Sequence, residues 1–368
     1  MLSNEMSLAL YLSVFIMSAF LMYCAERKRD SVAVRRICIT LSVTLPVMIA
    51  AFRACGTDIY TYASSYNRIL NEPLKWFWQQ DGSFEVTFTI INKIARRLDS
   101  IRLMLGTCAL ITLLPVYKSI WDKKDTIHVG YAALVFILLF YPTSFNIIRQ
   151  YMAIGIVCIS YKYIFDRKPV KFGLCILIAF SCHSSAIAFV PAYFLWTKDG
   201  DIVNDWRLWS VLAITLLLSL SLDRLMGSGL FAGDLERFEG YLDSDSGGRN
   251  RDFILNALVM VLLLPLMKQL NMIDKKNKFY YVMLIMQCII GITGFNSPFI
   301  KRVGLYYGIS EVFILGAIPC LKMENKTKKM IKTILIIYII GRFVLVDYIL
   351  NQPKIIPYKW VFPSWLGL

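Results

Sequence analysis

Two polar groups stand out in a chain that is otherwise mostly hydrocarbon. His183 is one of only two histidines and lies in Phe180-Ser181-Cys182-His183-Ser184-Ser185, between apolar runs. Arg149-Gln150 opens another apolar run, in Asn146-Ile147-Ile148-Arg149-Gln150-Tyr151-Met152-Ala153. Ionisable groups among lipid-embedded segments are costly and usually face a cavity with a task. An imidazole titrates near neutrality and can take a proton as a general base. A guanidinium is always charged and meets phosphate through a planar fork. The plainer alternatives are a helix-break histidine bonded to backbone and an arginine anchored in headgroups.

The composition says what kind of scaffold must position them. The 368 residues are 57% apolar and 18% charged, whereas a soluble domain of this size carries about 25% charge. Recurring apolar stretches of roughly 16–20 residues predict an all-α, polytopic integral membrane protein. The short alternating segments of a β-barrel do not recur. The net charge of +15 therefore points to loops beside spans, where Lys and Arg set orientation, and not to nucleic acid. The nine cysteines are scattered, without Cys-x-x-Cys or Cys/His ligand spacing, so no metal site is expected. Arg27-Lys28-Arg29 follows the first apolar run and no basic region precedes it. This predicts an outward N-terminus and a cytoplasmic first loop.

The reading along the chain is a single polytopic domain, 1–368, with about 12 transmembrane helices and one short interfacial helix. The first spans fall near Met6–Tyr23 and Ile37–Phe52, then Arg102–Tyr117, Val129–Tyr141 and Ile147–Phe165. Phe172–Trp196 reads as two short helices with His183 at an outward-facing break. The alternative is one long span, which would invert everything after it. Later spans fall near Trp206–Leu222, Phe253–Leu270, Phe279–Phe295, Val303–Cys320 and Ile331–Leu350. Outward loops are expected at 53–83, with Trp76 and Trp78 at the interface, and at 223–252. Phe84–Leu98 reads as the interfacial helix. Phe84, Phe88, Ile91, Ala95 and Leu98 share one face and Glu85, Thr89, Asn92 and Arg96 another, too polar for a span.

Under this topology one surface collects Arg53, Asp58, Tyr60, Tyr62, Glu85, Arg149, Gln150, His183 and Arg302. The 223–252 loop adds Arg237 and Arg249, with Arg224 and Arg251. Several arginines above a membrane cavity fit a lipid-linked diphosphate. Glu85 suits an acid/base role or a sugar hydroxyl; equally it suits the first turn of its helix, where the dipole favours a carboxylate. Asp58 suits a turn. Tyr60 and Tyr62 can face sugar rings or sit as interfacial aromatics.

The run Arg53-x-x-Gly56-Thr57-Asp58-x-Tyr60, then Phe84-Glu85, Ile148-Arg149-Gln150-x-x-Ala153 and Ala179-Phe180-Ser181-Cys182-His183-Ser184-Ser185-Ala186, resembles the EpsG-like branch of Wzy-type bacterial polysaccharide polymerases. The resemblance implies a GT-C-like helical enzyme of the bacterial inner membrane with its active site on the periplasmic side. It implies polymerisation of undecaprenyl-diphosphate-linked oligosaccharide repeat units. The growing chain is the donor, one repeat unit is the acceptor, and the diphosphate lipid departs. Arg149 and a second arginine would stabilise the leaving group, and His183 or Glu85 would take the acceptor's proton. No cofactor is implied, and no Gly-rich phosphate loop followed by Lys and Ser/Thr is present. Expected partners are the lipid-linked substrate, membrane lipids, a chain-length regulator and a flippase. Two other readings stay open, a lipid-linked oligosaccharide flippase and an O-antigen ligase. A flippase would carry charges deep in its spans and repeat-related halves; here charges cluster at span ends.

Overall fold

The computed structural model describes residues 1–28, 30–71, 84–196, 246–293 and 298–362, with isolated positions between 209 and 217. No strand occurs among the described residues. Five helices are long and apolar enough to cross a membrane: Asn4–Arg27, Val32–Phe52, Ile101–Trp121, Leu255–Ile273 and Arg302–Cys320. Val129–Leu139, Pro169–Cys182 and Ser184–Leu195 are apolar but shorter. Most of the expected span at Trp206–Leu222, and Trp76 and Trp78, lie outside the described residues.

The elements used below are α1 (Asn4–Arg27), α2 (Val32–Phe52), α3 (Ile59–Arg68), α4 (Val86–Arg97), α5 (Ile101–Trp121), α6 (Val129–Leu139), α7 (Ile148–Phe165) and α8 (Pro169–Cys182). A 3₁₀ helix, Ser184–Leu195, follows α8. Then come α9 (Ser246–Leu263), α10 (Met267–Ile273), α11 (Lys276–Thr293), α12 (Pro298–Gly308), α13 (Glu311–Ala317) and α14 (Asn325–Phe343), which runs into a π-helical turn, Val344–Ile349. Capping is local and ordinary. The Ser3 hydroxyl accepts from the Met6 amide, the Ser100 hydroxyl from the Leu103 amide, and Pro169 starts α8, where its missing N–H costs nothing.

Helix α7 is central, packed between α5 and α8. Its approach to α5 needs Gly155, because a Cβ there would lie 2.7 Å from the Thr112 carbonyl oxygen. Close backbone contact through small residues is how membrane helices gain packing without a hydrophobic drive. The chain then reverses at His183. The 3₁₀ helix packs back on α8, and Trp196 meets Phe165 with ring centroids 5.0 Å apart.

That reversal decides the later topology. At one end of the bundle, Glu26 accepts from the Val129 amide at 3.1 Å, and the His128 amide donates to the Gly316 carbonyl at 2.8 Å. Lys123 lies over the Phe165 and Tyr280 rings, and Lys276 over Phe165 as well. Arg27, Lys328 and Lys332 crowd His128. The basic loops of both halves of the chain therefore share one end. A single long span at Phe172–Trp196 would have sent Lys276 and Lys328 to the other, so the two-helix reading holds.

The expected spans Val303–Cys320 and Ile331–Leu350 are helical: the first is one of the five long helices, with a short turn at Ile309–Ser310, and the second continues into the π-helical turn. One expectation changes. Helix α4 turns the other way round from the expected interfacial helix. It buries Thr89 and Asn92 with Phe88 and Ala95, and exposes Ile90 and Ile94. Ile90 and Ile94 suit lipid, while of the polar stripe Glu85 bonds to other elements and the Thr89 hydroxyl donates to the Phe84 carbonyl of its own segment.

Candidate active site

The end opposite the basic loops gathers the polar groups. Glu85 is the residue from which α4 starts, yet its side chain makes no capping bond. Its carboxylate instead reaches the break after α8. Oε1 lies 2.6 Å from His183 Nδ1 and accepts from the Ser184 amide at 3.2 Å. Oε2 is paired with an Nη of Arg149. One carboxylate thus joins α4, the first turn of α7 and the α8 break. The first-turn alternative for Glu85 gives way to this bridging position.

Electrostatics keep the bridge charged. Burial alone would raise the Glu85 carboxyl, but Arg149 and His183 outweigh it and hold it well below the usual carboxylate range. The Glu85 side chain is 10% exposed, whereas Arg149 and His183 are 23% and 22% exposed. The carboxylate is therefore hidden, and the two groups it holds reach outward. Arg149 also stacks on Phe84, with its guanidinium carbon 4.6 Å from the ring centroid. Pairing Nδ1 with a carboxylate fixes ring orientation and leaves Nε2 as the nitrogen for an incoming hydroxyl.

Around this centre Tyr62 is buried and donates to the Asn146 carbonyl at 2.8 Å. Burial pushes its phenol up to about 12 against the pull of Arg149 and Arg302, both close by. Gln150 donates to the Arg302 carbonyl at 2.6 Å, which ties α7 to α12. Ser185 and Tyr306 share a hydrogen bond at 3.0 Å, and Thr87 and Ser181 one at 2.8 Å.

Arg53 sits elsewhere. It is 1% exposed, and it donates to the carbonyls of Cys55 at 2.8 Å and Phe145 at 2.6 Å while lying over the Phe145 ring. It joins the end of α2 to the approach to α7 and is not on the open surface. Gly56 follows at φ +121, and a Cβ there would fall 2.6 Å from the Asn146 side-chain oxygen. The Arg53-x-x-Gly56 spacing is thus the spacing of a tight joint around Asn146, which also accepts from the Thr57 amide at 2.8 Å. Asp58 lies half-buried at the start of α3, where Thr57 donates to its carboxylate at 2.8 Å. Tyr60 is exposed. Arg237 and the side chain of Arg249 lie outside the described residues.

Sequence reasoning missed Phe84 and Asn146 as parts of the site. Phe84 was visible only as the neighbour of Glu85, and Asn146 as the polar residue three before Arg149.

Among the described residues all regular structure is helical; with the apolar membrane helices and a carboxylate, imidazole and guanidinium gathered at one end, this defines a multi-pass membrane protein with a polar cluster at one end of its bundle. Residues 36–360 match the EpsG family, and the chain belongs to that family. It is accordingly a polysaccharide-polymerase-like membrane protein. No curated protein and no solved structure matches it.

Proposed function

We propose that this protein joins undecaprenyl-diphosphate-linked oligosaccharide repeat units at the periplasmic face of the bacterial inner membrane. The remaining apolar helices cross with the five long ones, to about twelve crossings in a GT-C-like arrangement. The basic loops face the cytoplasm, as Lys and Arg bias requires, so the Glu85 end faces out.

The observation that carries this reading is the bridge from Glu85 to both His183 and Arg149. An acceptor hydroxyl of one repeat unit attacks the anomeric carbon of the growing chain. The new glycosidic C–O bond forms as the bond to the lipid diphosphate breaks, and the electron pair leaves with the diphosphate. His183 Nε2 takes the hydroxyl proton. Glu85 holds the ring in place and stabilises the imidazolium that forms, as the buried carboxylate does in a Ser-His-Asp triad. Arg149, with Arg302 beside it, meets the charge that develops on the diphosphate. This is a direct displacement with inversion, without metal or nucleotide.

The test is polymerisation of purified lipid-linked repeat units by the protein in nanodiscs. A ladder of products supports the reading, and unchanged substrate refutes it. In cells, a deletion strain should carry one repeat unit per lipid; a surface without any repeat unit would point to a flippase or ligase.

A further inference from the structure

Helix α12 is tied to both halves of the candidate site. Arg302 and Tyr306 stand four residues apart and so share one side of it. At Arg302 the backbone carbonyl accepts from the Gln150 side chain at 2.6 Å, and Gln150 is the neighbour of Arg149 on α7. At Tyr306 the hydroxyl shares a hydrogen bond of 3.0 Å with Ser185, two residues beyond His183. Tyr307 adds a hydrogen bond of 2.6 Å to the Ala188 carbonyl on the same 3₁₀ segment.

The tie at Tyr306 falls where the backbone alone holds little. His183 is extended, so the helical ladder of α8 ends there. The Ser184 amide that follows is given to Glu85, and the Ser185 side chain is the next anchor of the segment that carries the imidazole. Tyr306 is fully buried, with Glu85 and Arg149 near its hydroxyl. A buried hydroxyl left without a partner is costly, so the phenol favours the one arrangement in which it meets Ser185.

The tie at Gln150 serves the cations. Gln150 is 2% exposed, so its amide acts on α12 and not on an incoming substrate. The Tyr62 hydroxyl has both Arg149 and Arg302 close by, which makes the two guanidiniums neighbours although they come from different helices. Neighbouring cations repel, and the hydrogen bond from Gln150 holds α12 against that repulsion. We propose that Gln150 and Tyr306 are positioning residues. Through α12, Gln150 keeps Arg302 beside Arg149, and Tyr306 keeps the His183 segment against Glu85, so one helix sets the spacing between the base and the leaving-group cations. The assignment rests on the proposed transfer reaction for the meaning of that spacing.

The test uses the full chain in nanodiscs and two readouts. The first is the rate of product-ladder formation from purified lipid-linked repeat units. Tyr306→Phe and Ser185→Ala each remove one side of a neutral hydrogen bond and should each slow the reaction roughly 3–10-fold. The double variant should be no slower, because both changes break the same bond. Gln150→Met keeps the side-chain length and should cost a similar factor. Tyr306→Phe should cost nothing more in the residual activity of His183→Gln, but its full factor in Arg302→Ala. Gln150→Met should do the reverse. A merely structural role would lower every background alike.

The second readout needs no turnover. The chain has two histidines, so isotopic nitrogen labelling of histidine gives two imidazoles, His128 and His183. Tyr306→Phe should shift or split the His183 ring signals and leave those of His128 in place; Gln150→Met should leave both. Equal losses in every background, or His183 signals unmoved by Tyr306→Phe, overturn the assignment. A protein that forms no product, yet whose His183 signals move in Tyr306→Phe, keeps Tyr306 as the residue that holds the imidazole. That result removes the proposed reaction together with the role of Gln150 in it.

Discussion

Glu85 Oε1 lies 2.6 Å from His183 Nδ1, although 98 residues separate them in the chain. The contact exists because α8 stops at Cys182, and the break presents both the imidazole and the Ser184 amide to the start of α4. It holds the imidazole by Nδ1 and leaves its Nε2 side for another partner.

The first prediction follows from that orientation. His183→Gln keeps size and hydrogen bonding but cannot take the proton, so polymerisation should fall by roughly 10²–10⁴. Glu85→Gln should also lose at least about tenfold, because the ring loses its orienting charge. Rates of product-ladder formation in nanodiscs decide it. A His183→Gln rate within about tenfold of wild type would return the histidine to a packing role.

Arg149 should behave differently from an ordinary surface cation. Arg149→Ala should abolish polymerisation with the protein still inserted, since loss of such a contact typically costs about 2.7–4 kcal/mol of transition-state stabilisation. Arg149→Lys should recover little, because a point charge replaces the fork that holds Glu85 and, in the proposed reaction, would meet the diphosphate. Chain-length profiles equal to wild type in Arg149→Lys would exclude fork-specific recognition.

Acid stability tests the Glu85 bridge. His128 is pulled down to about 4 by burial, Lys332 and Arg27, so it stays neutral well into the acid range. Glu85 is held below the usual carboxylate range. Its depressed value means that its contacts stabilise the fold above the unfolded carboxylate value, about 4.3. That contribution is lost only as pH falls through the lower folded value. The protein should therefore keep its fold well below neutral pH, and Glu85→Gln should remove the part of that acid dependence that Glu85 contributes. Circular dichroism of wild type and Glu85→Gln across an acid series checks this; identical acid transitions would deny Glu85 its part in stability.

Arg53 is expected to act on folding. Arg53→Leu leaves the Cys55 and Phe145 carbonyls without their donor, each at roughly 1–3 kcal/mol. The solubilised protein should melt earlier, while the rate per folded molecule stays within a few-fold of wild type. A stable but inactive Arg53→Leu protein would bring Arg53 into the reaction.

Topology can be read by labelling single cysteines in a cysteine-free background. Asp99, exposed just before α5 on the Glu85 end, should label from outside intact cells as Asp99→Cys. Val170, exposed at the start of α8 on the basic end, should label as Val170→Cys only after the membrane is opened. The reverse pattern would invert the orientation.

Much of this protein was legible in its residues. Apolar runs bounded by Lys and Arg specify membrane helices, because lipid demands internally satisfied backbone. The ends of α7 and the break at His183 were readable from Ile148-Arg149 and Cys182-His183-Ser184 for the same reason, since polar groups collect where helices end. The Glu85–His183–Arg149 bridge was not readable. Local periodicity places Glu85 with Thr89 and Asn92 on one face of α4 but does not say that this face turns inward. That choice is made by packing against α5 and α8, between residues far apart in the chain. Arg53 and Arg149 look alike in sequence, each an arginine at a helix end. Only the fold gives one to backbone carbonyls and the other to a carboxylate, because hydrogen-bond partners are assigned by which chain ends meet.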